Sequence, residues 1–306
     1  MGPRWFSGDS PAAEAAALGL VAAATLGCGA PGAAQEGALA RYGLGGPPAW
    51  QVALPAELRE VSGLAVTADG RLFALGDEEA VIYQLDARTG KVVKRFDLDP
   101  ATGTPDLGKK ARDGRVAGDF EDIAIVGDRF FMVTSNGVLL EFAEGAAGAR
   151  VPFTAHTTGL ADTCEVEGLA HDATSGALLM LCKEMRQKSA RDRVEIHAWS
   201  LAERRPDPQP RLTVAHSELS RVTGAREFNG SALGLTPGGR SLALVAGPQR
   251  VYAEITREGR LVGGGALDRA GLPQPEGMAF LPEGTLLVSS EGGRGEATMN
   301  GYAAPR

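Results

Sequence analysis

The sequence predicts an all-β fold, a five-bladed β-propeller built from four-stranded antiparallel blades. Three observations support this prediction. Five segments share one short motif, and each is followed by further short apolar runs. Glycine accounts for 42 of the 306 residues, about twice its usual share of ~7%, and together with 18 prolines it indicates many turns. Outside residues 15–27, no stretch of the sequence has a sustained helical period.

The repeated motif has a polar residue first, an acidic residue or a serine third, and, in four of the five copies, only small and apolar residues after them. It occupies residues 60–65, 119–124, 165–170, 229–234 and 274–279. A second apolar run follows each motif, at 71–78, 129–136, 177–184, 241–248 and 285–292. Third and fourth runs follow most copies, separated by glycine-containing turn dipeptides. These are strand and hairpin signals, so each repeat is predicted to form one blade.

The number of blades follows from the spacing of the motifs. Their third residues lie 59, 46, 64 and 45 positions apart, and too little chain flanks the outer motifs for a sixth blade. Residues 50–54 are predicted to supply the outer strand of the last blade, which closes the ring and leaves no free sheet edge. Six blades is the alternative, if 99–118 or 202–227 contains a degenerate blade. Both segments are charged and rich in turn residues, which favours loops.

The N-terminus has the pattern of a targeting segment. Residues 15–27 are apolar and have the length of a signal-peptide core, and no run of 18 apolar residues exists. The string Thr25-Leu26-Gly27-Cys28 resembles a bacterial lipoprotein cleavage box, which would make Cys28 the lipidated first residue. The alternative is a disordered leader with a stray cysteine. The predicted organisation is a leader at 1–28, a flexible tether at 29–49 and the propeller at 50–306.

This pattern predicts an exported bacterial protein, located in the periplasm or attached to the outer membrane as a lipoprotein. The only predicted contact with the membrane is through the N-terminal lipid. Export permits a disulfide between Cys164 and Cys182. However, a hairpin turning near 175–176 puts Cys182 opposite Gly168, and Cys164 then lies about 13 Å away at ~3.3 Å per residue. A disulfide needs Cα atoms within ~7 Å. The sequence therefore predicts two buried free thiols.

The motif strands are predicted to line the central channel with oxygen-bearing side chains. Positions one and three of a strand share a face, and the first strand of a blade is the innermost. The carboxylates at these positions are the predicted cation ligands: Glu60, Asp119, Glu121, Glu165, Glu167 and Glu276. Further residues at the same rim are Asp77, Glu78, Glu184, Asn229, Ser231 and Glu291.

So many carboxylates need a counter-charge, because like charges close together destabilise one another. Ca²⁺ takes six to eight oxygen ligands in flexible geometry, so it is the predicted ion. Zinc would need histidine or cysteine, and the four histidines lack a metal-ligand spacing. The alternative role for these acids is structural, with solvated or capping side chains around the ring.

Net charge and composition restrict the partners. The chain carries a formal charge of −7 and has no basic stripe interleaved with aromatic residues, which argues against nucleic acid. Motifs of serine hydrolases, metalloproteases, nucleotide-binding loops and dithiol enzymes are missing from the sequence. A monomer that binds a small molecule, a glycan or an envelope protein is predicted.

Four strings carry a family resemblance: EVSGLAVTADGRLFALGDEEAVIYQLD, DFEDIAIV, EVEGLAHDATSGALLMLCKE and PEGMAFLPEGTLLVSSE. They resemble the SdiA-regulated family of bacterial β-propellers over residues 50–303, and are similar also to the esterase-like propellers of phytases. The resemblance implies an exported or membrane-anchored five-bladed propeller that binds calcium in or over its channel, with no defined reaction. The fourth repeat departs from the pattern, since 229–234 lacks an acidic residue, which makes that side of the channel less acidic.

Two functions fit these residues. The first is a binding module of the cell envelope that holds a cation and recognises a ligand on its acidic face. The second is a calcium-dependent hydrolase of phosphate or carboxylic esters, in which the cation polarises an oxygen and a carboxylate activates water. Lys183, Arg294 and the loop 109–112 could then contact phosphate. No nucleophile or base stands out, so binding is the preferred function.

Overall fold

The computed structural model describes residues 37–102, 107, 109 and 114–305. The predicted leader, its lipidation site Cys28 and the first part of the tether lie outside these residues. No helix within the described part of the chain is long and apolar enough to cross a membrane.

The described chain forms five sheets of four or five strands, each built on antiparallel pairs. The first strand, β1 (Trp50–Ala53), belongs to the last sheet. Blade 1 contains β2 (Val61–Val66), β3 (Leu72–Gly76), β4 (Val81–Leu85) and β5 (Val92–Leu98). Blade 2 contains β6 (Phe120–Val126), β7 (Arg129–Thr134), β8 (Val138–Ala143) and β10 (Phe153–Thr157), while β9 (Arg150–Val151) pairs in parallel with β5.

Blade 3 contains β11 (Cys164–Asp172), β12 (Ala177–Met185), β13 (Arg193–Ser200) and, along its outer edge, β14 (Arg205–Pro206) and β15 (Leu212–Ala215). Blade 4 contains β16 (Ala232–Leu235), β17 (Ser241–Ala246), β18 (Val251–Thr256) and β19 (Leu261–Ala266). Blade 5 contains β20 (Pro275–Phe280), β21 (Leu286–Ser290) and β22 (Thr298–Tyr302), to which β1 adds. The helices among the described residues are α1 (His216–Thr223) and four 3₁₀ turns at Leu39–Tyr42, Ala56–Leu58, Pro100–Thr102 and Lys188–Ala190.

The five blades close into a ring, as predicted. The innermost strands contact one another in the cyclic order β2, β6, β11, β16, β20 and back to β2. Strand β1 pairs antiparallel with β22 and so completes the last blade with chain from the N-terminal side. The alternative of six blades is excluded, because 202–227 contributes β14, β15 and α1 and the described part of 99–118 contains only a 3₁₀ turn and one isolated bridge.

The core lies between neighbouring blades, where each sheet buries both of its faces. Between blades 1 and 2, Phe73, Phe96, Phe130 and Phe142 pack with ring centroids 4.9 to 6.3 Å apart. Strands buried on both faces are apolar in continuous runs rather than in alternation. This explains runs such as 178–182, in which every residue is buried.

The helix α1 contradicts the expectation that 202–227 is entirely loop. It has eight residues, begins after an extended Ala215 and ends at Gly224, which has a positive φ of 72°. Only Leu219 is buried in it, so the apolar signal in the sequence is too weak to show a helical period. Its position beside β15, β18 and β19 stabilises it through tertiary packing.

The prediction of two free thiols is wrong, because Cys164 and Cys182 form a disulfide with a Cα–Cα distance of 5.7 Å. The strand arithmetic assumed a regular ladder. In the structure the register shifts twice between β11 and β12, so that Cys182 lies opposite Val166 and not Gly168. Cys164 is therefore only two residues from the partner of Cys182, which places the two sulfurs within bonding distance.

The expected flexible tether is also wrong for residues 37–49. Leu39 and Leu44 are buried, and they pack with the core between blades 4 and 5. The Leu39 backbone N–H donates to Oε2 of Glu254 at 2.8 Å, and the Tyr42 hydroxyl donates to the Gly284 carbonyl at 2.6 Å. The composition of this segment is that of a linker, but its few apolar residues are buried against the core between blades 4 and 5.

Candidate functional site

Irregular pairing in the inner strands determines the geometry of the channel. Four of the five inner strands carry a register shift at the third residue of the motif. Ser62, Glu121 and Glu167 each lie unpaired between two paired neighbours, and Glu276 and Gly277 together face one residue of β21. A β-bulge re-aims the side chain of its extra residue and bends the strand. The bulges therefore determine the direction in which the side chains of the third motif residues point.

The first and third motif residues lie at different depths. The side chain of Glu165 is 38% exposed, whereas that of Glu167 is 6% exposed. Asp119 is likewise 42% exposed at the first position. The prediction that both positions present equivalent ligands to the channel assumed a regular strand. With the bulges, the first residues form an outer rim and the third residues form an inner layer, in which Glu167 is buried and Glu121 and Glu276 are half-buried.

A lysine occupies the centre of the acidic residues. Lys183 Nζ lies 2.6 Å from Glu167 Oε1 and 3.6 Å from Glu165 Oε1. Lys183 is the extra residue of β12, because Cys182 pairs with Val166 and Glu184 with Glu165. Two successive bulges on opposite strands of one hairpin thus bring an ammonium and a carboxylate together. We call Glu121, Glu165, Glu167, Lys183 and Glu276 the channel mouth.

Lys183 provides a counter-charge that the sequence argument assigned to a metal ion. Burial lowers the pKa of Lys183, but the neighbouring carboxylates of Glu167, Glu165 and Glu276 outweigh burial, and the net pKa is raised. The lysine is therefore a permanent cation at the channel mouth. The sequence analysis considered Lys183 only as a possible phosphate contact and not as a counter-ion of the carboxylates.

The positive charge of Lys183 does not compensate all the carboxyl groups around it. Burial, and then repulsion by Glu167 and Asp119, raises the pKa of Glu121 far above its ordinary value. Burial also raises the pKa of Glu167, although Lys183 opposes this effect. The pKa of Glu276 rises to about 8, through burial and then repulsion by Glu167 and Glu291. The carboxyl groups of Glu121, Glu167 and Glu276 consequently hold their protons to a higher pH than exposed glutamates do.

A second lysine bridges acids at the rim. Lys109 Nζ lies 3.1 Å from Asp119 Oδ1 and 3.3 Å from Asp77 Oδ2, and the Ser135 hydroxyl donates to Asp119 Oδ2 at 2.6 Å. Burial raises the pKa of Asp77 despite Lys109. Glu291 accepts a hydrogen bond of 3.1 Å from the side chain of Gln274, and burial raises its pKa as well.

Several predicted site residues lie outside the channel mouth. Glu184 is 54% exposed and lies 3.7 Å from Arg191 Nη2. Glu60 and Glu78 are exposed, and with Asp77 they line a cleft of about 250 Å³ on blade 1. Among the residues that the structure describes, no group of three His, Cys, Asp or Glu side chains is arranged to hold a metal ion.

The fourth repeat supplies neutral side chains. The Ser231 hydroxyl donates to the Pro275 carbonyl at 2.8 Å and accepts from the Gly247 N–H at 3.0 Å. Asn229 Oδ1 accepts from Gln249 Nε2 at 2.5 Å. These bonds tie blade 4 to blade 5 and to its own second strand, and a further hydrogen bond from Ser231 to Glu276 lowers the pKa of that carboxyl.

Asp122 lies next to Glu121 of the channel mouth, and it was not among the residues predicted from the sequence. It replaces the motif glycine of blades 1, 3 and 5 and is 4% exposed. Its carboxylate accepts hydrogen bonds from the Leu169 N–H at 2.7 Å and the Ile123 N–H at 2.8 Å. Burial raises the pKa of Asp122, and these two N–H donors oppose the rise. A Cβ on Gly63 would come within 2.6 Å of Asp122 Oδ1, so glycine in blade 1 makes room for this side chain.

Comparisons with known proteins support the fold. A scan against family models gives no match, and none of the curated proteins is significantly similar in sequence. The crystal structure of Myxococcus xanthus glutaminyl cyclase is similar in fold, with a TM-score of 0.53 at 12% identity over 84% of this chain and 97% of that chain. The chain is a β-propeller. At this identity the likeness shows the fold alone.

Two further solved structures match at lower TM-scores. The PQQ-bound aldose sugar dehydrogenase of Streptomyces coelicolor gives 0.48 at 13% identity, covering 84% of this chain and 99% of that chain. A luciferin-regenerating enzyme gives 0.47 at 12% identity, covering 85% and 99%. None of these matches confirms the SdiA-regulated family, so membership of that family stays a prediction.

Proposed function

We propose that this protein is an exported binding module whose channel mouth takes up a cation, and that Ca²⁺ is the cation its oxygen-bearing side chains suit best. One observation carries the proposal: the channel mouth holds four carboxyl groups for one lysine, and the pKa values of Glu121, Glu167 and Glu276 are raised. Carboxyl groups that bind protons because too little positive charge is nearby are expected to lose those protons when a cation binds.

Calcium binding would require a rearrangement. The described residues contain no preformed group of three ligands, and the ammonium of Lys183 already contacts Glu165 and Glu167. A calcium ion would therefore compete with Lys183 for the same oxygens. This competition predicts that removing the ammonium strengthens cation binding, which a purely structural role of the carboxylates does not predict.

The test is a thermal melt of the purified protein in EGTA and with added Ca²⁺, Mg²⁺ or Mn²⁺. A ligand at a hundredfold excess over Kd stabilises the folded state by ~2.7 kcal/mol. The calcium shift is expected to grow in Lys183→Met and to vanish in the double variant Glu167→Gln, Glu276→Gln. Glu184→Gln is the matched control, because Glu184 is exposed and pairs with Arg191. No calcium shift in either the wild type or Lys183→Met would reject the proposal.

Export and partners are part of the same proposal. A buried disulfide at Cys164–Cys182 supports an oxidising compartment, such as the periplasm or the outer surface, because such bonds rarely persist in the cytosol. Fractionation of cells expressing the wild type and Cys28→Ser tests whether Cys28 carries a lipid. The partner that fits a cation at an acidic rim is a small molecule, a glycan or an envelope protein with anionic groups.

A second candidate function is hydrolysis of phosphate or carboxylic esters. It is favoured by the different environments of Glu121 and Glu167, since the ammonium of Lys183 opposes the rise in the pKa of Glu167, which reaches about 8, whereas the pKa of Glu121 reaches about 10. Two carboxyl groups whose environments separate their pKa values can serve as acid and base. The first substrates to assay are nitrophenyl phosphate and nitrophenyl acetate, each with and without calcium. Turnover that persists in both Glu121→Gln and Glu167→Gln would exclude this site.

A further inference from the structure

Each cysteine of the disulfide is next in sequence to a residue of the channel mouth. Cys164 precedes Glu165, and Cys182 precedes Lys183. Both cysteines are fully buried, at 0% and 1% exposure. The one covalent cross-link among the described residues therefore joins the two strands at the positions next to the ion pair of Lys183 with Glu165 and Glu167.

The backbone at this position is irregularly paired, although regular pairs lie on both sides of it. Glu167 is unpaired between Val166 and Gly168 on β11, and Lys183 is unpaired between Cys182 and Glu184 on β12. A shift by one residue in a strand moves its side chains to the opposite face. In this hairpin such a shift between the two bulges would turn Lys183 away from Glu167, and neither of these two residues is itself held by a regular strand pair.

We propose that the Cys164–Cys182 disulfide is the positioning element of the channel mouth, holding the paired bulges that place Lys183 against Glu167. The disulfide spans the irregular stretch, since the only regular pair between the two bulges is Val166 with Cys182 itself. The proposal concerns the arrangement of Lys183 and stands independently of which ligand the channel mouth binds.

The proposal makes assembly of the site depend on oxidation. Two cysteine thiols lose their protons and two electrons to a disulfide-bearing oxidant, whose own disulfide becomes a dithiol, and the S–S bond forms across β11 and β12. A chain kept reduced has the blade but not the fixed ion pair. The channel mouth is therefore completed only where disulfides form.

The test is lysine footprinting of the full chain by a small acetylating reagent, with the rate at each lysine followed by mass spectrometry. In Cys164→Ala, Cys182→Ala the acetylation rate of Lys183 is expected to rise about tenfold, which corresponds to ~1.4 kcal/mol. Lys94 is the internal control, because it pairs with Glu144 on the outer side of blade 1, away from the disulfide. Cys28→Ala is the control for loss of a cysteine elsewhere.

The ratio of the two rates distinguishes positioning from general stability. A rise at Lys183 alone supports the proposal, whereas an unchanged ratio of Lys183 to Lys94 overturns it. If the double variant does not fold, the same footprint is recorded on the wild type after reduction with a dithiol. Unfolding in both preparations would assign the disulfide to the stability of the blade and would also overturn the positioning role. A missing calcium response would reject the proposed function and leave this result unchanged.

Discussion

Glu276 gives the sharpest test of the electrostatics at the channel mouth. Its side chain is half-buried, and its pKa is raised from 4.5 to about 8, first by loss of solvation and then by repulsion from Glu167 and Glu291. In the unfolded chain the same group is expected to titrate at its ordinary value. Between these two pH values the folded protein therefore binds one proton more than the unfolded chain.

The sign and size of the effect on stability follow from this difference in bound protons. Below pH 4.5 both states are protonated and Glu276 costs nothing. As the pH rises toward 8, the free energy of unfolding decreases by ~1.4 kcal/mol per unit for one proton. Over the whole interval this amounts to about 5 kcal/mol if Glu276 titrates alone, and sharing of protons with Glu167 reduces it to a few kcal/mol.

Glu276→Gln removes this proton while keeping the shape of the side chain. The slope of unfolding free energy against pH is expected to become shallower between pH 5.5 and 7.5, by about 1.4 kcal/mol per unit for one full proton and by less where Glu167 shares it. Urea denaturation at four pH values in that range measures the slope. Glu184→Gln, at an exposed position, is expected to leave it unchanged. Equal slopes in Glu276→Gln and the wild type would refute the claim that Glu276 is a proton-binding carboxyl.

Two further predictions concern groups that join blades. Asp122→Ala leaves the N–H groups of Leu169 and Ile123 without their acceptor, so we expect a loss of about 2 kcal/mol in unfolding free energy. Denaturation of Asp128→Ala, in an exposed turn, gives the baseline, and equal stability of the two variants would contradict a bridging role. Glu254→Ala removes the acceptor of the Leu39 N–H, and tryptic cleavage after Arg41 is expected to accelerate. Cleavage no faster than in the exposed-turn variant Glu258→Ala would show that packing alone holds residues 37–49.

Local patterns in the sequence predicted most of the fold. Five copies of one motif, each followed by short apolar runs and glycine-containing turns, predicted five blades and the inner position of the motif strands. The outer strand at 50–54 was predicted from the missing fourth strand of the last repeat, and β1 confirms it. These features depend on side-chain periodicity and turn chemistry, which act over a few residues and can be read from the chain.

The candidate site could be predicted only in part. The sequence indicated which carboxylates line the channel, and Glu121, Glu167 and Glu276 do come together. It did not indicate their different depths, the disulfide, or the placement of Asp122 at a glycine position. Each of these features depends on a register shift or on a close approach between blades. Neither can be recognised from the residue pattern of a single strand.

The sequence by itself determined the repeat, the closure of the ring and the excess of acidic residues at one end of the inner strands. Only the tertiary structure decided what balances that charge. Two bulges on opposite strands turn Lys183 toward Glu167, with Nζ 2.6 Å from Oε1. The physical reason is that a bulge inserts one residue into a ladder whose pairing depends on both strands and on the neighbouring blades. The position of an ammonium within a ring of carboxylates is therefore a property of the packed blades rather than of any local stretch of sequence.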